Sequence, residues 1–344
     1  MERLLLVFGG QSSEHQISRM SASSLYKQLN KDKYSITLVG IDQDGHWYQI
    51  DPSVNDFTVN GWLKNSQRID DIYGLITQHD VAFPILHGAY GEDGTIQGLF
   101  ELARIPYVGC KVLASSVAMD KIYTKMILER AKIPQVKSLY IKKRNDGTFV
   151  NITTSFEENK DYVGVIEKKI GYPCFIKPSN SGSSVGVNKA TNREELIQYI
   201  EYAAKFDCKI VVEENINCIE LECAALGNDD VCISSIGQIL PAGDFYTFES
   251  KYQDENSKTM IPALVDVAIQ EEIRELAKRA FKAIDGKGLA RIDFFLDKDS
   301  NSIYLNEINT MPGFTSISMY PQLWMHEGME YQDILDKLIA LAKE

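Results

Sequence analysis

The chain has 344 residues, 44% hydrophobic and 24% charged, with a formal net charge of −12. That balance is typical of a soluble globular protein of two or three domains with a core of good size. It excludes a phosphate-tracking basic surface, and so nucleic acid as the expected partner. No apolar run is long enough to span a bilayer, so no membrane span is expected.

The six cysteines are Cys110, Cys174, Cys208, Cys218, Cys223 and Cys232. None makes a C-x-x-C pair, and several sit in apolar runs. They read as buried thiols of a reducing compartment, neither a disulfide frame nor a zinc site. The opening MERLLLVFGGQ is too short an apolar run for a signal peptide and ends in a turn. The cytoplasm is therefore expected.

In chain order, residues 4–8 are all apolar and end in Gly9-Gly10, which reads as a buried parallel strand. A helix should start near Glu14, with Ile17, Ser21, Ser24 and Leu25 on one face. Residues 34–41 make a second strand and GHWY a short third. The polar stretch 50–78 has few periodic signals and reads as a surface excursion. Residues 81–86, followed by His87-Gly88, form another buried strand, and 94–102 a helix. This alternation is that of an open α/β domain. Ligands in such sheets bind beyond the carboxyl ends of the strands, where Gly9-Gly10 and His87-Gly88 both lie.

The first domain should close near Val108-Gly109. Residues 114–131 read as one helix carrying Asp120-Lys121, and 142–147 as a polar turn between strands. In PCFIKPSNSGSSVGVNKA, residues 173–190, Phe175 and Lys177 share a strand face. A Gly/Ser loop follows at 180–186, and Val185, Val187 and Lys189 begin a return strand. A helix at 194–204 and a buried strand at 209–213 come next. Glu220, Glu222 and Ala224 share one face of the strand after that. Residues 244–260 lack periodicity and hold Phe245, Tyr246, Phe248 and Tyr252. A long aromatic loop of this kind is usually functional when ordered. The helix at 269–284 carries the stripe Ile269, Ile273, Leu276 and Ala280, and 331–342 form a last helix.

The segment GLARIDFFLDKDSNSIYLNEINTMPGFTSISMYP, 288–321, holds the densest chemistry. Period 2 puts Leu289, Arg291, Asp293 and Phe295 on one strand face and the apolar Ala290, Ile292, Phe294 and Leu296 on the other. After the turn at 297–301, Ile303, Leu305, Glu307 and Asn309 share one side of a second strand. A hairpin closed symmetrically about that turn sets Asp293 opposite Glu307 and Arg291 opposite Asn309. Like charges placed opposite each other are destabilising, whereas an all-oxygen set suits a hard cation such as Mg2+ shared with phosphates. Solvated acids with an Asn capping the next turn are the plainer alternative. The apolar backing face and the arginine among the acids favour the cation.

The loop SNSGSSVG offers backbone N–H groups and hydroxyls to a polyphosphate, with Lys177 just before it. It matches neither G-x-x-x-x-G-K-[ST] nor, with Gly9-Gly10, G-x-G-x-x-G. A flexible surface hairpin is the alternative; the acid cluster and Lys121 tip the balance to a nucleotide lid. Glu213-Glu214 ends an apolar strand, where paired acids can receive ribose hydroxyls and an adenine amino group. Spacing alone favours a solvated strand end. Glu14 at a helix start, His87 in a turn and Arg291 beside Asp293 each have ordinary structural uses as well.

Eight blocks, FGGQSSEHQIS, HGAYGEDGTIQG, MDK, FIKPSNSGSSVGV, VVEENINCIELECAALGN, FESKY, ARIDFF and LNEINTMPGFTSISMYP, run in one order over nearly the whole chain. Together they resemble the D-alanine–D-alanine ligases of the ATP-grasp superfamily. The resemblance implies a mixed α/β, three-domain ATP-grasp fold. Its parts would be an N-terminal open parallel α/β domain (1–110), a central domain with the Gly/Ser phosphate lid (111–212) and a C-terminal domain (213–344) with the metal-binding hairpin and the aromatic loop 244–260. It implies ATP, two Mg2+ ions with Mn2+ as a substitute, two D-alanine molecules and a homodimer.

By the same resemblance, Lys121 and Lys177 match lysines on the ATP phosphates, and Ser183, Ser184 and Gly186 the phosphate lid. Glu213, Glu214, Ile216, Glu220 and Asn306 match nucleotide contacts, with Phe175 and Phe295 beside the base. Asp293, Glu307 and Asn309 match the metal ligands. Glu14 matches the group on the first substrate's ammonium, linked to Ser183 and Tyr252, and His87 a group near its carboxylate. Arg291 and the Gly313 N–H match the oxyanion hole, and Lys251, Ser318 and Met319 the substrate pocket. Related ligases that make D-alanyl-D-lactate carry His at Tyr252, and D-serine-using relatives tend to carry Arg at Met319. Tyr252 with Lys251 and Met319 thus favours D-alanine as second substrate over D-serine or D-lactate.

Overall fold

A strand buried on both faces needs a partner on each edge and a covering layer on each side. In the computed structural model, which describes residues 1–344 except 55, 60, 65 and 241–257, the first apolar run forms β1 (Glu2–Gly9). The helix α1 (His15–Gln28) connects it to a parallel neighbour, β2 (Tyr34–Ile41). Then β3 (Trp47–Gln49) and β4 (Gln67–Arg68) extend that edge. After α2 (Ile72–Thr77), β5 (Val81–Ile85) lies parallel on the other side of β1. The order β4-β3-β2-β1-β5 is that of an open α/β sheet. Leu4, Leu6 and Phe8 fill one core and Leu5 and Val7 the opposite one.

The stretch 50–78 is not the surface excursion expected. Phe57 and Trp62 are buried, and Phe57 stacks on Phe8 with ring centroids 4.7 Å apart. Isolated aromatics in a polar context leave no periodic trace, although each buries a large area.

Next comes α3 (Thr95–Ala103). The single helix expected at 114–131 is two, α4 (Val112–Met119) and α5 (Lys121–Arg130). Asp120 stands between them in extended backbone, and its side chain accepts the N–H groups of Ile122 and Tyr123. A short acid that caps the second helix competes with continuation of the first.

The central sheet comprises β6 (Ser138–Lys143), β7 (Phe149–Ile152), β8 (Glu158–Asn159), β9 (Cys174–Pro178), β10 (Asn188–Ala190) and β11 (Lys209–Glu214). The helices α6 (Tyr162–Lys169) and α7 (Arg193–Ala203) cover one face. Cys174 and Ile176 enter that core, so Phe175 and Lys177 look out on the other side, as period 2 requires. The return strand begins at Asn188, later than expected. The division expected at 212/213 falls inside β11, which runs on to Glu214.

The third sheet has the order β15-β14-β12-β16-β17. Its strands are β12 (Cys218–Leu226), β13 (Cys232–Ile233) paired on β12, β14 (Gly237–Leu240), β15 (Lys258–Met260), β16 (Leu289–Asp297) and β17 (Ile303–Asn309). The helix α8 (Val267–Ala283) backs it through Ile273, Leu276 and Ala280. Two last helices, α9 (Met319–His326) and α10 (Tyr331–Leu341), return to the N-terminal sheet: Leu323, Ile334 and Leu338 share a core with Leu4 and Leu6. Of the cysteines, Cys110, Cys174 and Cys223 are buried, but Cys208 and Cys232 are exposed, against expectation. Among the described residues no helix is long and apolar enough to cross a membrane.

Candidate active site

The hairpin β16–β17 pairs Arg291 with Asn309 and Asp293 with Glu307, the expected register. Toward its tip the symmetric closure fails. A bulge shifts the register after Asp293, so Phe294 faces Leu305 and Leu296 faces Ile303. The consequence is a change of face. Ile303 and Leu305 join the apolar core behind the sheet together with Ile308, while Glu307 and Asn309 border the cavity in front. A bulge re-aims side chains in this way, and strict alternation cannot anticipate it.

The same register continues onto β12, where Glu222 lies opposite Asp293 and Ala224 opposite Arg291. Glu222, Asp293 and Glu307 thus form a row of three carboxylates across three strands. Arg291 offsets two of them. Its Nε and Nη2 donate to the two oxygens of Asp293 at 2.8 and 2.7 Å, and Nε lies 3.1 Å from Glu222. Burial works against the guanidinium charge, but Asp293 and Glu222 outweigh it and hold Arg291 ionised. Asn309 donates its amide to Asp293 at 3.1 Å.

Beside Glu307, at one end of this row, a second and larger cavity of about 770 Å³ opens between the central and third sheets. Phe175, Lys177, Ser183, Ser184 and Glu213 line one side, and Glu220, Phe295, Asn306 and Glu307 the other, with Lys121, Glu214 and Ile216 at its border. Every expected nucleotide residue except Gly186 is there. Glu213 is fully engaged, its oxygens 2.7 Å from Lys125 and 2.6 Å from Lys177. Burial pushes its carboxyl up, but the two ammonium groups win and hold it well below the usual carboxylate range. Glu213 therefore acts first on the lysines.

The Gly/Ser loop is rooted on α5. Lys121 donates its backbone N–H to the Ser179 carbonyl at 3.1 Å and its Nζ to the Ser181 carbonyl at 2.5 Å. Ser179 Oγ donates to Asp120 at 2.5 Å, and Lys209 pairs with the same carboxylate. The loop tip leans on the first domain, where the Ser183 hydroxyl donates to Glu14. Gly182 permits that approach, because a β-carbon there would stand 2.7 Å from Glu14 Oε2.

Glu14 is buried at the start of α1, and its N–H donates to Ser12 Oγ at 3.1 Å. Ser12 in turn donates to the His87 carbonyl at 2.6 Å. His87 is buried between Ser21 Oγ, 3.0 Å from Nε2, and the Met311 carbonyl, 2.9 Å from Nδ1. Burial pushes its pKa down and favours the neutral ring; the Met311 carbonyl can only accept, so Nδ1 carries the proton. Gly313 and Ser318 are neighbours, since a β-carbon on Gly313 would stand 2.8 Å from Ser318 Oγ.

Two expected residues stand apart. Gly186 turns toward Pro178 and Phe206, and Met319 is buried in the core with Leu323. Lys251 and Tyr252 lie outside the described residues, as does most of the aromatic loop. Residues missed in the sequence include Lys125, one helical turn from Lys121 on α5, a spacing that sets both on one face. Glu222 was legible as a face-mate of Glu220, and Glu92 lies within the GEDG block. Asp42, Asp44 and His46 also bring ligand atoms within 4.8 Å of one another, but there Asp42 Oδ1 accepts the N–H groups of Asp44 and His46 and closes a turn.

Residues 3–110 match the family model for the D-ala D-ala ligase N-terminus and 136–340 that for the C-terminus. A D-alanine–D-alanine ligase of Acetivibrio thermocellus is 47% identical over 99% of this chain and 96% of its own length. Among solved structures, the VanG D-Ala:D-Ser ligase from Enterococcus faecalis superimposes with a TM-score of 0.87 at 34% identity, covering 99% of both chains. The D-alanine-D-alanine ligase from Coxiella burnetii gives 0.85 at 32% identity, over 99% of this chain and 93% of its own. A cavity between two sheets, bordered by lysines, a Gly/Ser loop and the acids Glu213, Glu220 and Glu307, accompanies that likeness, and the chain belongs to the D-alanine–D-alanine ligase family.

Proposed function

We propose that this chain joins two D-alanine molecules through an acyl phosphate of the first, with ATP as phosphoryl donor. The observation that carries the reading is the acid row of Glu222, Asp293 and Glu307, which reaches the lysine-lined cavity through Glu307. A carboxylate is a poor electrophile. Transfer of the ATP γ-phosphoryl group to a D-alanine oxygen breaks the β–γ P–O bond and leaves ADP. The second D-alanine, as free amine, then attacks the acyl carbon. The C–N bond forms, phosphate leaves, and a nearby base or the departing phosphate takes the amine's proton.

Lys121 and Lys177 neutralise the phosphate oxygens, and Glu213 with Lys125 holds Lys177 in place. Phe175 and Phe295 flank the base, with Glu214, Ile216, Glu220 and Asn306 at its border. Ser183 and Ser184 face the phosphates, and Gly186 turns the loop behind them. The ATP dependence of this family calls for a hard cation. The side chains present fit one: their donors are oxygens, on paired strands, at the cavity. Asp293, Glu307 and Asn309 would hold two Mg2+ ions, or Mn2+, which would supply charge neutralisation at the phosphates.

Glu14 receives the first ammonium, with Ser183 hydrogen-bonded to it and Tyr252 as the further partner the family resemblance implies, and His87 borders the first carboxylate. Arg291 and the Gly313 N–H stabilise the tetrahedral oxyanion. Lys251 and Ser318 shape the second pocket, and Met319 backs Ser318 from the core. Family membership supports a homodimer, and the free thiols support the cytoplasm. D-Serine is the second reading for the incoming amine, favoured by the likeness to the D-Ala:D-Ser ligase. Mass identification of the product formed from ATP, Mg2+ and a D-amino acid mixture tests the assignment. D-Alanyl-D-alanine is expected; D-alanyl-D-serine as main product would favour the second reading, and the absence of any dipeptide would overturn both.

A further inference from the structure

Glu92 takes no part in the roles above, yet it faces the same space as Lys121, Lys177 and Asn309. Its Oε2 accepts the Gly88 N–H at 2.7 Å and its Oε1 the Met311 N–H at 3.2 Å. His87, next to Gly88, donates through Nδ1 to the Met311 carbonyl at 2.9 Å. Both the N–H and the C=O of Met311 are therefore held by one turn of the N-terminal domain. β17 ends at Asn309, and Gly313 follows two residues after Met311. Beyond it, the Phe314 N–H donates to Ser21 at 3.2 Å and its carbonyl accepts the Tyr331 hydroxyl at 2.6 Å. The backbone that carries the Gly313 N–H takes its place from these contacts.

We propose that Glu92 is a positioning residue for acyl transfer, and the proposal rests on the ligase reading. Its carboxyl group fixes the 311–313 backbone against the His87-Gly88 turn. It thereby sets the oxyanion donor relative to the first substrate's carboxyl carbon. Both oxygens are needed as acceptors, because each meets an N–H. A glutamine keeps the shape but offers one acceptor and aims an NH2 group at the other N–H. Displacement by about 1 Å can lower a rate by about 10²-fold.

The test is steady-state phosphate release and dipeptide formation by Glu92→Gln and Glu92→Asp beside the unmodified enzyme, varying D-alanine and ATP separately. Glu92→Gln is expected to lower kcat, and kcat/KM for the second D-alanine, by about 10²-fold while KM for ATP stays within about twofold. Glu92→Asp should fall between. Should Glu92→Gln fail to fold, the same split is read on Glu92→Asp. Unchanged kinetics, or loss of ATP binding in step with activity, would overturn the proposal. Failure of the unmodified enzyme to form dipeptide would instead overturn the ligase reading.

Discussion

His87 Nδ1 lies 2.9 Å from the Met311 carbonyl, although the two residues are 224 positions apart. The contact joins the carboxyl end of β5 to the segment after β17, and it requires a proton on Nδ1; burial, not this hydrogen bond, is what favours the neutral ring. Burial lowers the His87 pKa from its ordinary 6.5 and outweighs the opposing pull of Glu14; Arg291 adds to the lowering. The unfolded chain then binds a proton below pH 6.5 that the folded chain refuses. Stability from this group is full above that pH and declines below it. His87→Gln should reduce the loss of thermal stability between about pH 7.5 and pH 5. His15 and His79, whose pKa values burial also lowers, should leave a residual slope, which Glu92 opposes because burial and Glu14 push its pKa up to about 8. Thermal unfolding across pH decides it; equal slopes in both proteins would remove His87 from the account.

Ser183 and Glu14 tie the Gly/Ser loop to the first domain through a hydrogen bond to a charged acceptor. Such bonds contribute about 1.5–3 kcal/mol. Ser183→Ala should therefore raise KM for the first D-alanine about tenfold or more, with a smaller change in KM for ATP. Initial rates with each substrate varied in turn measure the difference. A larger effect on ATP would place Ser183 on the phosphates alone.

Glu213 sits buried between two lysines, of which Lys125 is also buried. Glu213→Gln leaves two ammonium groups facing each other without their counter-ion, which should destabilise the fold by about 3–5 kcal/mol. Urea unfolding reads that loss. Lys125→Met removes one of the two cations and should cost less. Equal stability in all three proteins would mean that Glu213 serves the nucleotide directly.

Much of this site was legible in the sequence because its chemistry conflicts with burial. Asp293 and Glu307 near an apolar face, with Arg291 among them, mark strands that no packing argument explains. The open sheet was legible because residues 4–8 and 81–86 are apolar on both faces. Other features left no local trace. The bulge after Asp293 depends on which side chains fit the core behind, so alternation misplaced Ile303 and Leu305. Phe57 and Trp62 are buried by tertiary contacts alone. Asp120 interrupts a helix because its side chain finds the N–H groups of Ile122 and Tyr123, a local choice that periodicity overrides when read alone. Lys125 and Glu92 gain meaning only once β11 and the segment after β17 are set beside them.

The hairpin acids remain the centre of the account. Asp293→Asn and Glu307→Gln keep volume and remove charge at the cross-strand pair. The direct measurement is Mg2+-dependent dipeptide formation by each variant, with thermal unfolding as the check on folding. The account predicts folded proteins whose turnover is abolished. Near-normal turnover in either variant would contradict it.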